Sequence, residues 1–144
     1  MVFISGPILG KNGAVQWEET VLDTIRAYWD LETGILWTHE EHTAFNKTFD
    51  NLSDTAHQNR GCIEYCQGLG SQGWETPSLK DFLIAYQHGL SNIIKDANQA
   101  YWTSTERETS PEYYAYFIAL NDGTTGWSPK RNRGGCRCAY KKNE

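Results

Sequence analysis

The residues best suited to chemistry in this 144-residue chain are its four cysteines, which form two close pairs. Cys62 and Cys66 are four residues apart in a segment of helical periodicity, so they share one face of a predicted helix. Cys136 and Cys138 are two apart in a predicted strand, so they also share a face. The rise between partners is about 6 Å along a helix and about 6.6 Å along a strand, so the two pairs can meet as two rungs.

Two disulfides side by side are the interpretation that this arrangement favours, and two alternatives stay open. A four-thiolate zinc site usually contains a C-x₂-C knuckle, whereas the spacings here are C-x₃-C and C-x-C. Four reduced, buried thiols are the other alternative. Spacing does not decide which cysteine pairs with which. We predict no metal and no cofactor, and two disulfides predict an oxidising compartment.

The first sixteen residues are rich in glycine and weakly patterned. We interpret residues 1–16 as a linker or the end of an upstream stalk, and residues 17–144 as a single domain. The opening "MVFISGPILG" lacks the basic start and long apolar run of a signal peptide. We therefore expect the C-terminal piece of a longer exported protein, located outside the cell or at its surface.

A second candidate site is the basic loop near the C-terminus, where Lys130, Arg131 and Arg133 follow Trp127. Cations beside an aromatic ring suit an acidic glycan or a carboxylate. The competing interpretation is a solvated loop that joins two strands.

If a ligand site exists, we expect it on loops 104–114 and 123–135, because long loops over a small sheet commonly carry recognition. Flat aromatic rings there suit sugar faces or protein hot spots. Tyr114 is ambiguous, because its alternation with Tyr116 can instead direct it to the core. The predicted ligand-binding residues are Arg107, Tyr113, Trp127, Lys130, Arg131 and Arg133.

Other reactive side chains lack the spacing that known chemistry needs. The segment "HEEH" at 39–42 departs from the H-E-x-x-H zinc motif, so we predict a solvated loop. His57 and His88 are isolated on predicted helices, at the surface or half-buried. Ser104 and Ser110 have no G-x-S-x-G elbow around them. Glu106 and Glu108 are better explained as solvated charges than as paired catalytic acids, so we predict that the protein is not an enzyme.

Composition and charge limit the possible partners. Hydrophobic residues make up 39% and aromatic residues 13% of the chain, which is enough for a folded core. The net charge of the chain is −5, and an excess of basic over acidic residues is found only in the last fifteen residues. Nucleic-acid binding is therefore disfavoured, because a mostly acidic surface repels phosphate. No stretch approaches the roughly 20 apolar residues of a membrane helix, so we predict no membrane insertion.

The elements that must position these residues follow an α+β order. Residues 24–38 predict a hairpin with Gly34 in its turn, and residues 39–51 a polar loop with a short helical turn. Residues 54–69 predict a helix that ends at Gly68 and Gly70. A second helix opens at the capping-box pair Ser78 and Asp81. The remaining chain predicts an antiparallel meander, with strands in "YWTST", "YYAYFIALN", "TTGWSP" and "CRCAYK".

Five motifs in a fixed order carry a family resemblance over roughly residues 25–140. They are "DLETGILW", "CIEYCQGLGSQGWETPSLKDFL", "YWTSTE", "AYFIALNDGTTGW" and "RCAY". The chain resembles the Lcl C-terminal domain family, found at the end of bacterial collagen-like adhesins and similar to the C-type lectin-like fold. The resemblance implies two helices packed beside a twisted antiparallel sheet with long loops.

The resemblance also implies a pairing and a function. Cys66–Cys138 would be the usual family disulfide and Cys62–Cys136 an addition, which is the pairing that we prefer. Trp37, Trp74 and Trp102 would lie in the core. The implied function is an adhesive fibre-tip domain that recognises a glycan or cell-surface protein, and the collagen-like family members imply a homotrimer. The alternatives are a trimerising cap without its own ligand and, more weakly, an enzyme of the wider fold.

Two departures from the family pattern affect these expectations. The family's "GWRLP" is "GWETP" here, with Glu75 and Thr76 in place of Arg and Leu, so a buried arginine contact is absent or inverted. The acidic body of the chain weakens the case for sulfated glycans, and the calcium-binding lectin triplets are missing.

Overall fold

The computed structural model describes residues 2–9 and 15–141, with side chains from residue 16 onward. It is an α+β structure of two five-stranded sheets and three short helices. The strands are β1 (Val2–Leu9), β2 (Val15–Leu22), β3 (Ile25–Asp30), β4 (Ile35–Thr38), β5 (Ala44–Lys47), β6 (Ala100–Glu106), β7 (Tyr114–Ala119), β8 (Thr124–Pro129), β9 (Gly134–Cys136) and β10 (Ala139–Lys141). The helices are α1 (Cys62–Gln67), α2 (Leu79–Gln87) and α3 (Leu90–Ile93).

The first sheet has the strand order β1-β2-β3-β4-β10, with antiparallel neighbours throughout. The predicted hairpin is confirmed as β3 and β4, and Gly34 in its turn has a φ of +79° that favours glycine. The N-terminal segment differs from the predicted linker or stalk, because β1 pairs with β2 along its length. The weak hydrophobic pattern of this segment did not predict a strand, which forms through backbone pairing with β2. Residues 10–14 of that prediction lie outside the described part of the chain.

The second sheet has the order β5-β9-β6-β7-β8 and carries the candidate loops at its ends. The antiparallel neighbours predicted in "YYAYFIALN" and "TTGWSP" are confirmed, since β7 pairs with β8 in unbroken register from Tyr114–Pro129 to Ala119–Thr124. The capping box is confirmed as well. Ser78 Oγ accepts from Asp81 N at 3.1 Å, and the Asp81 carboxylate accepts from Ser78 N at 3.3 Å.

The predicted helix over 54–69 is wrong in its first half, where the chain forms a loop. The buried Asp54 carboxylate accepts the backbone N–H groups of Ala56, Gln58 and Arg60, a side-chain arrangement that competes with helical hydrogen bonds. Helix α1 begins only after Gly61. A Cβ at Gly61 would lie 2.2 Å from Asn51 N, so the loop closes there only with glycine.

The predicted strand "CRCAYK" divides into two strands that belong to different sheets. Cys136 ends β9 in the second sheet, and Cys138 precedes β10 in the first sheet. Both cysteines still reach α1. The bonded pairs are Cys62–Cys136 and Cys66–Cys138, with Cα–Cα distances of 5.5 Å, and all four side chains are fully buried.

Between the two cysteines, Arg137 is fully buried. Its guanidinium donates to the Thr38 carbonyl on β4 and to the Asp96 carboxylate, and it lies 5.5 Å from the centre of the Tyr101 ring. Glu75 is exposed and pairs through its backbone with Ala139. This chain therefore does bury an arginine, but from the C-terminal segment rather than from the "GWETP" position. The predicted core tryptophans Trp37, Trp74 and Trp102 are buried.

Removing the disulfides should produce a strongly non-additive loss of stability. With one bond intact, the other closes a ring of only about six residues, whereas the first bond closes a loop of more than 70. We expect Cys62→Ser/Cys136→Ser to cost roughly 2 kcal/mol, Cys66→Ser/Cys138→Ser about the same, and the fourfold variant roughly 6–7 kcal/mol. Denaturant titration of the three variants measures this, and equal, additive losses would contradict the nested-loop explanation.

The Asp54 loop should make the fold sensitive to acid. Burial raises the pKa of Asp54, but the N–H groups of Arg60, Gln58 and Ala56 outweigh it and hold the pKa below its usual range. Because the folded pKa is depressed, this stabilisation is present above the unfolded pKa near 4 and is lost as the pH falls through the lower folded value. Asp54→Asn should therefore unfold more easily at pH 7 and lose less stability than wild type between pH 5 and 2. Thermal melts across that range measure both effects, and parallel pH profiles would refute the role of Asp54.

Candidate functional site

Three loops meet at one end of the second sheet, and backbone hydrogen bonds hold them together. Phe49 N donates to the Lys130 carbonyl at 3.0 Å, and Lys130 N donates to the Tyr113 carbonyl at 2.8 Å. Residues 48–61, 107–113 and 130–133 therefore form one surface. The sequence placed the second and third loops together but missed the first, because it predicted a helix over most of that segment.

Lys130, one of the predicted ligand-binding residues, lies inside this junction, and most of its side chain is buried. It is 6% exposed, its ammonium donates to Glu106 Oε2 at 2.6 Å, and it lies 4.5 Å from the centre of the Phe49 ring. A buried cation with a carboxylate partner and an aromatic floor serves to fix the loops.

The strongest candidate for binding is the stacked patch, which we define as Arg107, Tyr114 and Trp127. The Arg107 guanidinium carbon lies 4.1 Å from the centre of the Trp127 ring and 5.5 Å from that of Tyr114. Trp127 is 50% exposed. Within the described part of the chain, the guanidinium N–H groups have no hydrogen-bond or ion-pair partner. The rings thus orient the cation while its donors stay available.

The side chain next to the stacked patch is Tyr116, which lies opposite Trp127 across the β7–β8 pair. Its hydroxyl donates to Glu108 at 2.9 Å, and this hydrogen bond to a carboxylate raises the pKa of Tyr116. Glu106 instead contacts Lys130. Each of the two carboxylates therefore has a separate hydrogen-bond partner.

The other predicted ligand residues lie in two different depressions. Arg131 and the exposed Tyr113 border a pocket of about 310 Å³ together with Leu52, which is 94% exposed. Arg133 borders another pocket, of about 200 Å³, with the aromatic side chains Trp102 and Phe117. The six predicted residues therefore occupy a stacked patch, a buried junction and two pockets, and Leu52 was missed because an isolated loop leucine carries no sequence signal.

The histidines are more connected than their sequence context indicates. His88 caps α2 and lies between carboxylates, with Nδ1 2.7 Å from the buried Asp30 and Nε2 3.2 Å from Glu32. His57 is in the Asp54 loop rather than on a helix. In the "HEEH" segment, which forms the predicted short helical turn, His39 is largely buried and contacts both glutamates. The predicted solvated loop is thus observed only in part, because Glu41 is exposed whereas His39 and Glu40 are largely buried.

The cysteines also bear on the zinc alternative. The sulfur atoms of Cys62, Cys66 and Cys136 lie within 4.8 Å of one another, and they are the only such His, Cys, Asp or Glu cluster in the described residues. All of them are bonded in disulfides, so the thiolates that zinc requires are consumed.

Comparison with known proteins adds no assignment: no family model matches the chain, and neither does any curated protein. Among the described helices, none has the length and apolar character needed to cross a bilayer.

Truncation of the neighbouring residues 130 and 131 should change the free energy of unfolding by very different amounts. Lys130→Ala removes a buried ion pair and a ring contact at the loop junction, so we expect a loss on the order of 1–2 kcal/mol. Arg131→Ala removes an exposed side chain and should change stability by less than about 0.5 kcal/mol. The two variants lose the same charge, so chemical unfolding separates packing from net charge. Equal effects would show that Lys130 does not fix the loops.

Proposed function

We propose that this domain is a non-enzymatic binding module that recognises a glycan or cell-surface ligand through the stacked patch. The observation that carries this proposal is the Arg107 guanidinium, which rests on two aromatic rings while its donors are unengaged in the described structure. A planar fork of N–H donors suits carboxylate or sulfate oxygens, and preorganisation lowers the entropy lost on binding.

The surroundings of the patch support a local, oriented contact rather than general attraction of anions. The chain carries a net charge of −5, and the Glu108 carboxylate lies beside the patch, where it accepts a hydrogen bond from Tyr116. An anionic group must therefore approach Arg107 directly. Trp127 and Tyr114 add flat apolar surface of the kind that packs against sugar rings or protein side chains.

The proposed setting is the tip of an exported bacterial fibre or surface protein. It rests on the ordered motifs that resemble the Lcl C-terminal domain family, on a C-type lectin-like interpretation of the fold, and on two disulfides, which are typical of an oxidising compartment. The structural alternative is a trimerising cap, which would cover Trp127 and the 123–135 loop at a subunit interface.

Arg107→Ala should abolish or weaken binding at least tenfold, because it removes the oriented cation while sparing the core. The assay is an array of neutral, carboxylated and sulfated saccharides, repeated at high salt, followed by titration of any hit. Lys80→Ala is the matched control, since it removes one exposed positive charge on α2. Trp127→Ala should weaken the same hits.

Full binding by Arg107→Ala would refute the stacked patch as the ligand site. If the wild-type protein binds no saccharide and its assembly mass in solution is that of a trimer, the result supports the trimerising cap instead.

A further inference from the structure

Strand β8 forms an open edge of the second sheet, and its composition is unusual for such a position. It pairs only with β7 among the described strands. Its first five residues, "TTGWS", contain no charge and no proline, and the register with β7 shows no bulge. Exposed edge strands normally contain a charge, a proline or a bulge, because these features prevent the free backbone groups from pairing with other strands.

The other three sheet edges do carry protection. Strand β1 contains Pro7 and two register shifts. Strand β5 has a register irregularity next to the left-handed Asn46 and ends at Lys47. Strand β10 has three residues, and its Ala139 exchanges backbone hydrogen bonds with Glu75. Within the described structure, residues 124–128 of β8 form an edge segment without such protection, and Pro129 ends that segment.

We propose that β8 is a self-association edge, where it pairs antiparallel with β8 of a second copy of this chain. Charge complementarity selects this occupant. Asp122 lies at one end of β8, whereas Arg131 and Arg133 lie at the other, and all three are exposed. A twofold axis near Gly126 and Trp127 brings Asp122 of each copy within about one residue of the partner's Arg131. The neutral centre of the strand then forms the shared ladder.

This pairing has a consequence for ligand binding, which rests on the proposed function. The twofold axis of an antiparallel pair is perpendicular to the sheet, so both copies keep the same face outward. The Arg107, Tyr114 and Trp127 patches of the two copies then lie on one side of a continuous sheet. Two sites on one side can engage a repetitive ligand at once, which raises avidity without a new contact.

The test is analytical ultracentrifugation of the full chain without any ligand, over micromolar to millimolar concentrations. We expect a monomer–dimer equilibrium, and Thr125→Lys should weaken it at least tenfold by placing a charge at the exposed edge. Asp122→Lys and Arg131→Glu should each weaken it severalfold by like-charge contact, and the double exchange should restore it to within about twofold. Lys80→Glu, remote from β8, is the control.

The outcomes separate this inference from the proposed function. A chain that stays monomeric at millimolar concentration, a trimer that Thr125→Lys leaves intact, or a double exchange no better than the single variants would each overturn the pairing. If Thr125→Lys fails to fold by circular dichroism, the charge exchange decides. Arg107→Ala should leave the dimer constant unchanged, so loss of ligand binding by that variant cannot mimic failure of the edge.

Discussion

The structure depends on one crosslink, the double disulfide between α1 and the C-terminal segment. Cys136 and Cys138 lie where the chain passes from the second sheet to the first, so bonding both of them to one short helix clamps the two sheets together. A six-residue helix has little stability of its own. The bonds hold it in the core, and it in turn fixes the position of the loops that precede it.

Polar side chains complete what the disulfides begin. Arg137, enclosed between the two cysteines, donates to Thr38 in the first sheet and to Asp96 in the loop before β6, and it lies over the ring of Tyr101 in the second sheet. Asp54 shapes its loop by accepting hydrogen bonds from three backbone N–H groups. Lys130 connects this region to β6, because its ammonium contacts both the Phe49 ring and the Glu106 carboxylate. These buried charges are tolerated because each meets either an opposite charge or backbone N–H donors.

The candidate site inherits its rigidity from this framework. The rings of the stacked patch lie on the β7–β8 pair, and Arg107 directly follows the last residue of β6. The ordered sheet therefore sets the distance between the guanidinium and the rings. The same strands end in an open edge. A ligand surface and an association edge on one hairpin would allow binding and assembly to reinforce each other.

Local patterns determined much of this protein. The hairpins, the capping box and the close cysteine pairs follow from residues near each other in sequence, whose turn chemistry and side-chain periodicity act over a few positions. The core tryptophans were instead predicted from the family resemblance. The tertiary structure decided the rest. Lys130 could be seen as buried, and Arg107 as stacked on Trp127, only once segments far apart in sequence were in contact. The Asp54 loop replaced a predicted helix because a carboxylate that satisfies three backbone donors outweighs a weak helical pattern. Spacing also left the division of the final strand between two sheets open, since backbone pairing partners are chosen in three dimensions.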